Sequence, residues 1–125
     1  MTAAVAPDQR RQVFARFFRA VGLQQAGEME RARQAFEDVL DLDPAHADAL
    51  GLLGALLHDQ ERYERSAQVL ARVVALRPTD AALRHLWGKA LFGLEQTEQA
   101  HQQFDLAIEL QPGLASAHAS RATAL

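Results

Sequence analysis

The stretch Asp41-Leu42-Asp43-Pro44 ends a block of sequence that occurs three times in this chain. Ala75-Leu76-Arg77-Pro78 ends the second block and Glu109-Leu110-Gln111-Pro112 ends the third, so that the three prolines are 34 residues apart. A fixed period of this length is typical of a repeat protein, in which each unit packs on its sequence neighbours.

Each block contains two stretches with apolar residues at helical spacing, separated by a short break. The breaks fall near Gly27, near Asp59-Gln60-Glu61 and near Gly93-Leu94-Glu95. The prolines fit the first turn of the next helix, and Asp43 and Thr79 are predicted helix caps. Since no strand pattern competes, the predicted helices span 9–25, 28–42, 45–58, 62–76, 79–92, 96–110 and 113–125.

The 34-residue helix–turn–helix unit resembles the tetratricopeptide repeat, whose pattern is W-x2-L-G-x2-Y, then A-x3-F, then P. The matching residues are Ala20, Leu23, Ala32, Phe36 and Pro44 in the first block, Leu50, Leu53, Gly54, Leu57, Ser66, Leu70 and Pro78 in the second, and Trp87, Gly88, Leu91, Ala100, Phe104 and Pro112 in the third. The first block departs from the pattern at Arg16 and Arg19, where the family has Trp and Leu, and the third departs at Arg84.

The resemblance implies an all-α fold, a right-handed α-solenoid of helix–turn–helix pairs with three repeats and one extra C-terminal helix. Small residues at Gly54/Ser66 and Gly88/Ala100 are expected to let paired helices approach closely. One pair cannot offset an ordering entropy of about 1–2 kcal/mol per residue, so the repeats are expected to share one core.

The predicted domain boundaries follow the repeat period. Residues 1–8 are predicted to form a disordered tail, and the repeat domain is placed at 9–125. The repeats span about 13–46, 47–80 and 81–114, followed by a partial fourth repeat or capping helix at 115–125. Two interpretations of the last segment stay open, a closed three-repeat domain and a fragment of a longer protein, and we expect the fragment.

Composition and charge exclude several classes of function. The 125 residues carry a formal net charge of -3, which argues against nucleic acid as a partner. The absence of cysteine excludes disulfides and thiolate metal sites. No apolar run approaches the ~18 residues needed to cross a bilayer, so membrane binding is not expected and a cytoplasmic location is predicted. Alanine richness and twelve arginines beside one lysine indicate a bacterial source.

Neither a metal site nor a catalytic motif is evident. The five histidines form no i,i+4 pair with one another; they are His46, His58, His85, His101 and His118. Glycine-rich phosphate loops, nucleophile elbows and carboxylate dyads are also not evident. We therefore expect no catalysis, no metal and no cofactor within this chain.

The resemblance also implies a binding surface, because the first helix of each tetratricopeptide pair lines a concave groove for peptides or extended segments. The groove-facing positions carried over from the family are Phe14, Phe17, Val21, Gln24, Asp48, Gly51, Ala55, His58, Asp59, His85, Lys89 and Phe92, and Ser116, Ala119 and Thr123 continue the line. One subclass of the family grips a chaperone's C-terminal carboxylate with Lys, Asn and Arg. Its positions here hold Phe17, Val21, Leu52, Ala82 and Leu86, which cannot donate to a carboxylate. The expected partner is therefore an amphipathic helix or an extended apolar segment of another protein.

The first helix is unusual because four apolar residues share an arc of about 100°; they are Phe14, Phe17, Phe18 and Val21. Four arginines lie in the same helix, which we interpret as a solvated end rather than a membrane or acidic-partner surface. Three placements of the arc stay open: the apolar end of the groove, a self-association surface, or a core position reached by rotation of the helix.

Three functions remain in competition. The chain is expected to be a non-catalytic protein–protein interaction scaffold. The alternative is an N-terminal accessory or oligomerisation domain of a larger bacterial enzyme of glycosyltransferase, sulfotransferase or hydroxylase type, with catalysis outside this chain. The third is self-association through helix 9–25 or through the C-terminal helix 113–125.

Overall fold

A computed structural model of the chain describes residues 6–124, and within this range it contains seven α-helices and no strand. The helices are α1 (Pro7–Gln25), α2 (Met29–Leu42), α3 (Ala47–Asp59), α4 (Tyr63–Leu76), α5 (Ala81–Gly93), α6 (Thr97–Leu110) and α7 (Ala115–Ala124). Every end lies within two residues of its predicted position. The all-α prediction is confirmed.

The N-terminal end of α1 differs from the prediction. The helix begins at Pro7, so that Pro7 and Asp8 of the predicted disordered tail are helical. Proline fits this place because the first helical residue needs no N–H donor. Residues 1–5 of that tail, and Leu125 of the predicted fourth repeat, lie outside the described residues. The predicted domain ranges and the repeat divisions at 46, 80 and 114 stay predictions.

The helices stack as a solenoid of pairs. Helix α1 packs on α2, α3 on α4 and α5 on α6, and the second helix of each pair also packs on the first helix of the next. Helices α3, α5 and α7 lie side by side. We therefore call α1, α3, α5 and α7 the inner layer and α2, α4 and α6 the outer layer. One apolar cluster runs through both layers.

Glycine at two positions sets the distance between paired helices. A methyl group on Gly54 would lie 2.5 Å from Cδ2 of the buried Leu70, and one on Gly88 would lie 2.6 Å from Cε1 of Phe104. Ser66 is buried beside Gly54, and its hydroxyl donates to the Gly54 carbonyl oxygen at 2.7 Å. The prediction that small residues allow a close approach is confirmed.

The turn inside each pair repeats its backbone conformation. Gly27, Glu61 and Glu95 have φ of 80°, 60° and 63°, and they are 34 residues apart. The Glu61 N–H donates to the His58 carbonyl at 2.9 Å. This is the first of two hydrogen bonds that close the C-terminal end of α3, where Glu61 itself has a left-handed backbone conformation. The predicted breaks are therefore confirmed.

The prolines that end the blocks lie in turns between pairs, and their predicted place in the first helical turn is wrong. The His46 N–H donates to the Asp43 carbonyl at 3.1 Å, which closes a four-residue turn with Pro44 in second position. The turn around Pro78 is closed in the same way. The fixed φ of proline suits that second position.

The predicted caps Asp43 and Thr79 are also wrong. The residues that cap α3 and α5 are His46 and Asp80, and each accepts a hydrogen bond from the backbone N–H three residues further on, at 3.0 Å and 3.1 Å. Because the proline turn occupies four residues, each helix starts after the turn. The cap of α3 is therefore three residues after Asp43, and the cap of α5 is one residue after Thr79.

Candidate functional site

The twelve predicted groove residues all lie on the inner helices α1, α3 and α5. Five of them line two separate pockets: Phe14 and Phe17 line one, and His58, Lys89 and Phe92 line the other. The inner layer therefore presents two pockets with a stretch of small and half-buried residues between them.

The N-terminal pocket has a volume of about 270 Å³ and lies between α1 and the turn before α3. It is lined by Arg10, Val13, Phe14, Phe17, Asp43 and His46. The ring of Phe17 lies 4.8 Å from that of His46 and 6.2 Å from that of Phe36, and Phe36 is fully buried. Phe17 is therefore both a wall of the pocket and an edge of the core.

The aromatic arc of α1 is divided between the core and the surface. Val21 packs against the core beside Phe17. Phe14 and Phe18 are 69% and 72% exposed, and they stack on each other with ring centroids 6.2 Å apart. Half of the arc therefore packs against the core and the other half is exposed, and a rotation of α1 stays a prediction.

The repeat register explains why Phe18 is uncovered. The residues 34, 68 and 102 positions further on are Leu52, Leu86 and Ser120. Leu52 and Leu86 pack against the core, and Ser120 is hydrogen-bonded to His85 of the preceding inner helix. Within residues 6–124 no inner helix precedes α1, so the equivalent surface of α1 is open.

The middle of the inner layer offers little chemistry. Gly51 lies close to α5, since a methyl group there would be 3.2 Å from Cδ2 of Leu83. Ala55 and Gln24 are half-buried. Asp48 accepts a hydrogen bond from Arg77 at 3.0 Å, so its charge is already paired.

The C-terminal pocket has a volume of about 230 Å³ and lies between α3, α5 and α7. It is lined by His58, Lys89, Phe92, Phe104, Ala119, Ser120 and Thr123. Among residues 6–124, no carboxylate belongs to this lining. The pocket therefore combines aromatic walls with one positive charge, that of Lys89, in a chain whose net charge is -3.

His85 lies beside this pocket and is held by α7. Its Nε2 is 2.8 Å from the Ser120 hydroxyl, and its ring is 5.8 Å from that of Phe104. Burial lowers the pKa of His85 below its usual 6.5, and the charges of Lys89 and His58 lower it further. The imidazole is therefore mostly neutral at pH 7.

His58 contributes a buried nitrogen to the pocket. Its Nδ1 is buried and has no hydrogen-bond partner among the described residues. The Asp59 carboxylate is exposed and lies 3.6 Å from Nδ1, beyond hydrogen-bonding distance. The ring of His58 packs edge-on against Tyr63 at 5.3 Å. A buried donor or acceptor without a hydrogen-bond partner is uncommon in a folded protein.

Sequence reasoning did not identify Ser120 and Phe104 as pocket residues. It also missed Arg10, Asp43 and His46 of the N-terminal pocket. The repeat register contained a signal for Ser120, which follows the groove-facing Ala119, whereas the outer-helix Phe104 reaches the pocket only because Gly88 has no side chain.

Residues 6–124 contain neither a metal-binding cluster nor a membrane span. In this range no three His, Asp or Glu side chains are grouped so that they could hold a metal ion. None of the seven helices has the length and apolarity needed to cross a bilayer.

Known proteins similar to this chain share its repeats. No protein of curated function matches it by sequence. The solved MamA structure from Desulfovibrio magneticus RS-1 is 30% identical with a TM-score of 0.87, over 90% of this chain and 63% of that one, so this chain spans less than two thirds of it. The O-GlcNAc transferase of Thermobaculum terrenum is 30% identical with a TM-score of 0.83, over 100% of this chain and 23% of the transferase.

A more distant structure shares the fold alone. The first tetratricopeptide domain of Spaghetti (RPAP3), solved with an HSP90 peptide, is 16% identical with a TM-score of 0.86, over 91% of this chain and 90% of that one. The family profile described as tetratricopeptide repeat matches residues 19–81, half of the chain. This protein belongs to the tetratricopeptide repeat family.

Proposed function

We propose that the chain is a non-catalytic interaction scaffold that binds an amphipathic helix or an extended apolar segment of another protein along its inner layer. The observation that carries this proposal is the exposure of apolar groups there. Phe92 is 39% exposed at the rim of the C-terminal pocket, and the small Gly51 and Ala55 leave space for a bound chain between the two pockets. A partner laid on this surface would bury aromatic area, the commonest source of affinity.

Peptide binding by similar folds supports the proposal. The Spaghetti domain was solved with an HSP90 peptide, and the second tetratricopeptide domain of human RPAP3, 20% identical to this chain, with an HSP70 peptide. The present chain has Phe17, Leu52 and Leu86 among the positions where the chaperone-binding subclass has polar donors. The proposed partner is therefore apolar along most of its length. A cytoplasmic location stays part of this proposal.

The test is a selection of random peptides displayed on phage against the 125-residue chain, followed by affinity measurements. Phe92→Ala is expected to weaken selected peptides about tenfold, as for a rim aromatic in an interface. Leu106→Ala is the matched control, because Leu106 is 38% exposed but lies on the outer helix α6. Equal loss in both variants, or in neither, would contradict binding on the inner layer.

A second candidate function is that of an accessory domain in a larger enzyme. The favouring observation is the O-GlcNAc transferase of Thermobaculum terrenum, of which this chain matches 23% at 30% identity. The test is to sequence the parent gene beyond the codon for Leu125 and to assay its full product. A full-length product without a catalytic domain would reject this function.

Self-association is a separate proposal that rests on Phe14 and Phe18. The uncovered surface of Phe18 corresponds to the one that Leu52, Leu86 and Ser120 use for packing in the later inner helices. Light scattering at high concentration is expected to show association that Phe18→Glu abolishes, with Leu106→Glu as the control. A monomer in all three proteins would exclude it.

A further inference from the structure

We propose that the C-terminal pocket binds the carboxylate of an Asp or Glu side chain carried within the apolar partner segment, with Lys89 as its counter-charge. This inference rests on the proposed function, because it names the chemistry of one residue of the partner. The inference predicts that the partner needs this acidic residue for full binding affinity.

The first argument is the unpaired charge of Lys89. It is the only lysine of the chain, it is half-buried on α5, and no carboxylate lies within 4.0 Å of its ammonium group among the described residues. Arg31, Arg33 and Arg65 of α2 and α4, by contrast, are paired with carboxylates. A half-buried ammonium group gains most from an opposite charge because the surrounding protein screens it poorly.

The second argument is the set of polar residues that line the same pocket, which are His58, Lys89 and Ser120. The imidazole of His58 can donate to a carboxylate in the appropriate tautomer or when protonated. Its buried Nδ1 has no hydrogen-bond partner among the described residues, and the exposed Asp59 carboxylate lies 3.6 Å away. The Ser120 hydroxyl lies in the lining and is held by His85 at 2.8 Å. One ammonium group and two neutral polar groups suit a carboxylate, which needs several donors.

The third argument concerns the occupant's other atoms and its charge. Phe92, the buried Phe104 and Ala119 provide the apolar walls, so the carboxylate must arrive on an apolar chain. A pocket of about 230 Å³ is too small for more than a side chain or two. No arginine of the described part of the chain lines it, and a dianionic phosphate group is usually bound by guanidinium groups. A singly charged side chain is the ligand that fits.

The site differs from the chaperone-tail subclass in both place and residues. The positions that subclass uses are occupied here by apolar side chains. Lys89 and His58 lie instead between α3, α5 and α7, and the ligand is an internal acidic residue rather than a chain terminus.

The main experiment uses the same phage selection, in which every peptide is fused to the coat protein through its C-terminus and offers no free terminal carboxylate. Selected peptides are then synthesised with an amidated C-terminus. Replacing their Asp or Glu by Asn or Gln, or changing Lys89→Met, is expected to weaken binding about tenfold, the loss of one charge-assisted contact. Arg11→Met removes the same charge from an exposed site on α1 and is expected to change affinity little.

The outcomes separate this inference from the proposed function. Peptides that are weakened by Phe92→Ala but bind Lys89→Met as tightly as wild type would leave the interaction surface in place and overturn the carboxylate inference. Peptides that are indifferent to both changes would overturn both.

A second measurement applies even if no peptide is selected. Phenylacetate is titrated into the 125-residue chain while the imidazole resonances of His58 and His85 are followed by NMR, and phenylacetamide is the neutral control. Shifts with phenylacetate that are absent with phenylacetamide and absent in Lys89→Met are expected. Identical responses to the two compounds, or no response to either, would reject the site.

Discussion

The inner helices of the first and second repeats have the same register, but at two equivalent positions one has charged residues and the other has apolar residues. Helix α3 buries Leu50 and Leu53, whereas α1 has Arg16 and Arg19 at the equivalent places, both exposed. Arg16 donates to the carbonyl oxygen of Asp38 at 3.0 Å on the surface of α2. A helix inside the stack packs on both sides, while within residues 6–124 α1 has neighbouring helices on one side only. The place of a repeat in the stack therefore decides which residues it tolerates.

The largest expected effect comes from exchanging these residues. Leu53→Arg would bury an unpaired guanidinium group and is expected to lower the free energy of unfolding by more than about 4 kcal/mol, which unfolds most small domains. The reciprocal Arg19→Leu is expected to change it by less than about 0.5 kcal/mol. Urea unfolding followed by circular dichroism measures both. Similar losses in the two variants would show that the two repeats are packed alike.

The next effect concerns the small residue that each inner helix presents to its outer partner. Gly54→Ala brings a methyl group to 2.5 Å from Leu70 and is expected to cost about 1–3 kcal/mol of unfolding free energy. Gly22→Ala is the control, since nothing lies within 4 Å of the added group, and it should stabilise α1 by about 0.5–1 kcal/mol. A stable Gly54→Ala protein would mean that Leu70 moves aside freely.

A smaller effect separates the second repeat from its neighbours. Ser66 is the only polar residue at a position where the other repeats have Ala32 and Ala100, and all three are buried. Ser66→Ala removes the hydrogen bond to the Gly54 carbonyl and should cost about 0.5–1.5 kcal/mol. Thermal unfolding of this variant beside Ala32→Ser would reveal the difference. An unchanged Tm in Ser66→Ala would mean that the bond adds nothing to stability.

The smallest effect depends on pH and belongs to the C-terminal end. Because folding lowers the pKa of His85 below its usual 6.5, the folded state disfavours the proton. The stability gained from the neutral imidazole is complete above pH 6.5 and is lost as the pH falls through the lowered value. NMR titration of Lys89→Met should show the pKa of His85 rise part of the way back, since burial remains the larger cause. No rise would contradict the proximity of the two charges.

The fold could be predicted from the sequence because a 34-residue period repeats three times in register. The proline turns could not be predicted, because a proline is compatible with both a turn and the first residue of a helix. Which of the two forms depends on where the helix is capped, and the caps are His46 and Asp80. The sequence also did not predict that the aromatic arc of α1 is divided between the core and the surface. Helical spacing places Phe17 and Phe18 on one side of α1, but whether a neighbouring inner helix covers Phe18 depends on the position of α1 in the stack.

The C-terminal pocket was predicted in part. His58, Lys89 and Phe92 follow from the register of the inner helices. The unpartnered nitrogen of His58 and the hydrogen bond between His85 and Ser120 depend on side-chain geometry between three helices, which no periodicity encodes.

The turns at Glu61 and Glu95 have a consequence for handedness. Both residues hold a positive φ, a conformation that costs an L-residue about 1–2 kcal/mol and that a D-residue adopts at no cost. Gly27, which is achiral, occupies the equivalent turn of the first repeat. A chain synthesised with D-Glu at these two places should fold into the same solenoid and melt at a higher temperature. Two mirror-image residues are thus expected to raise the stability of a protein otherwise made of L-amino acids.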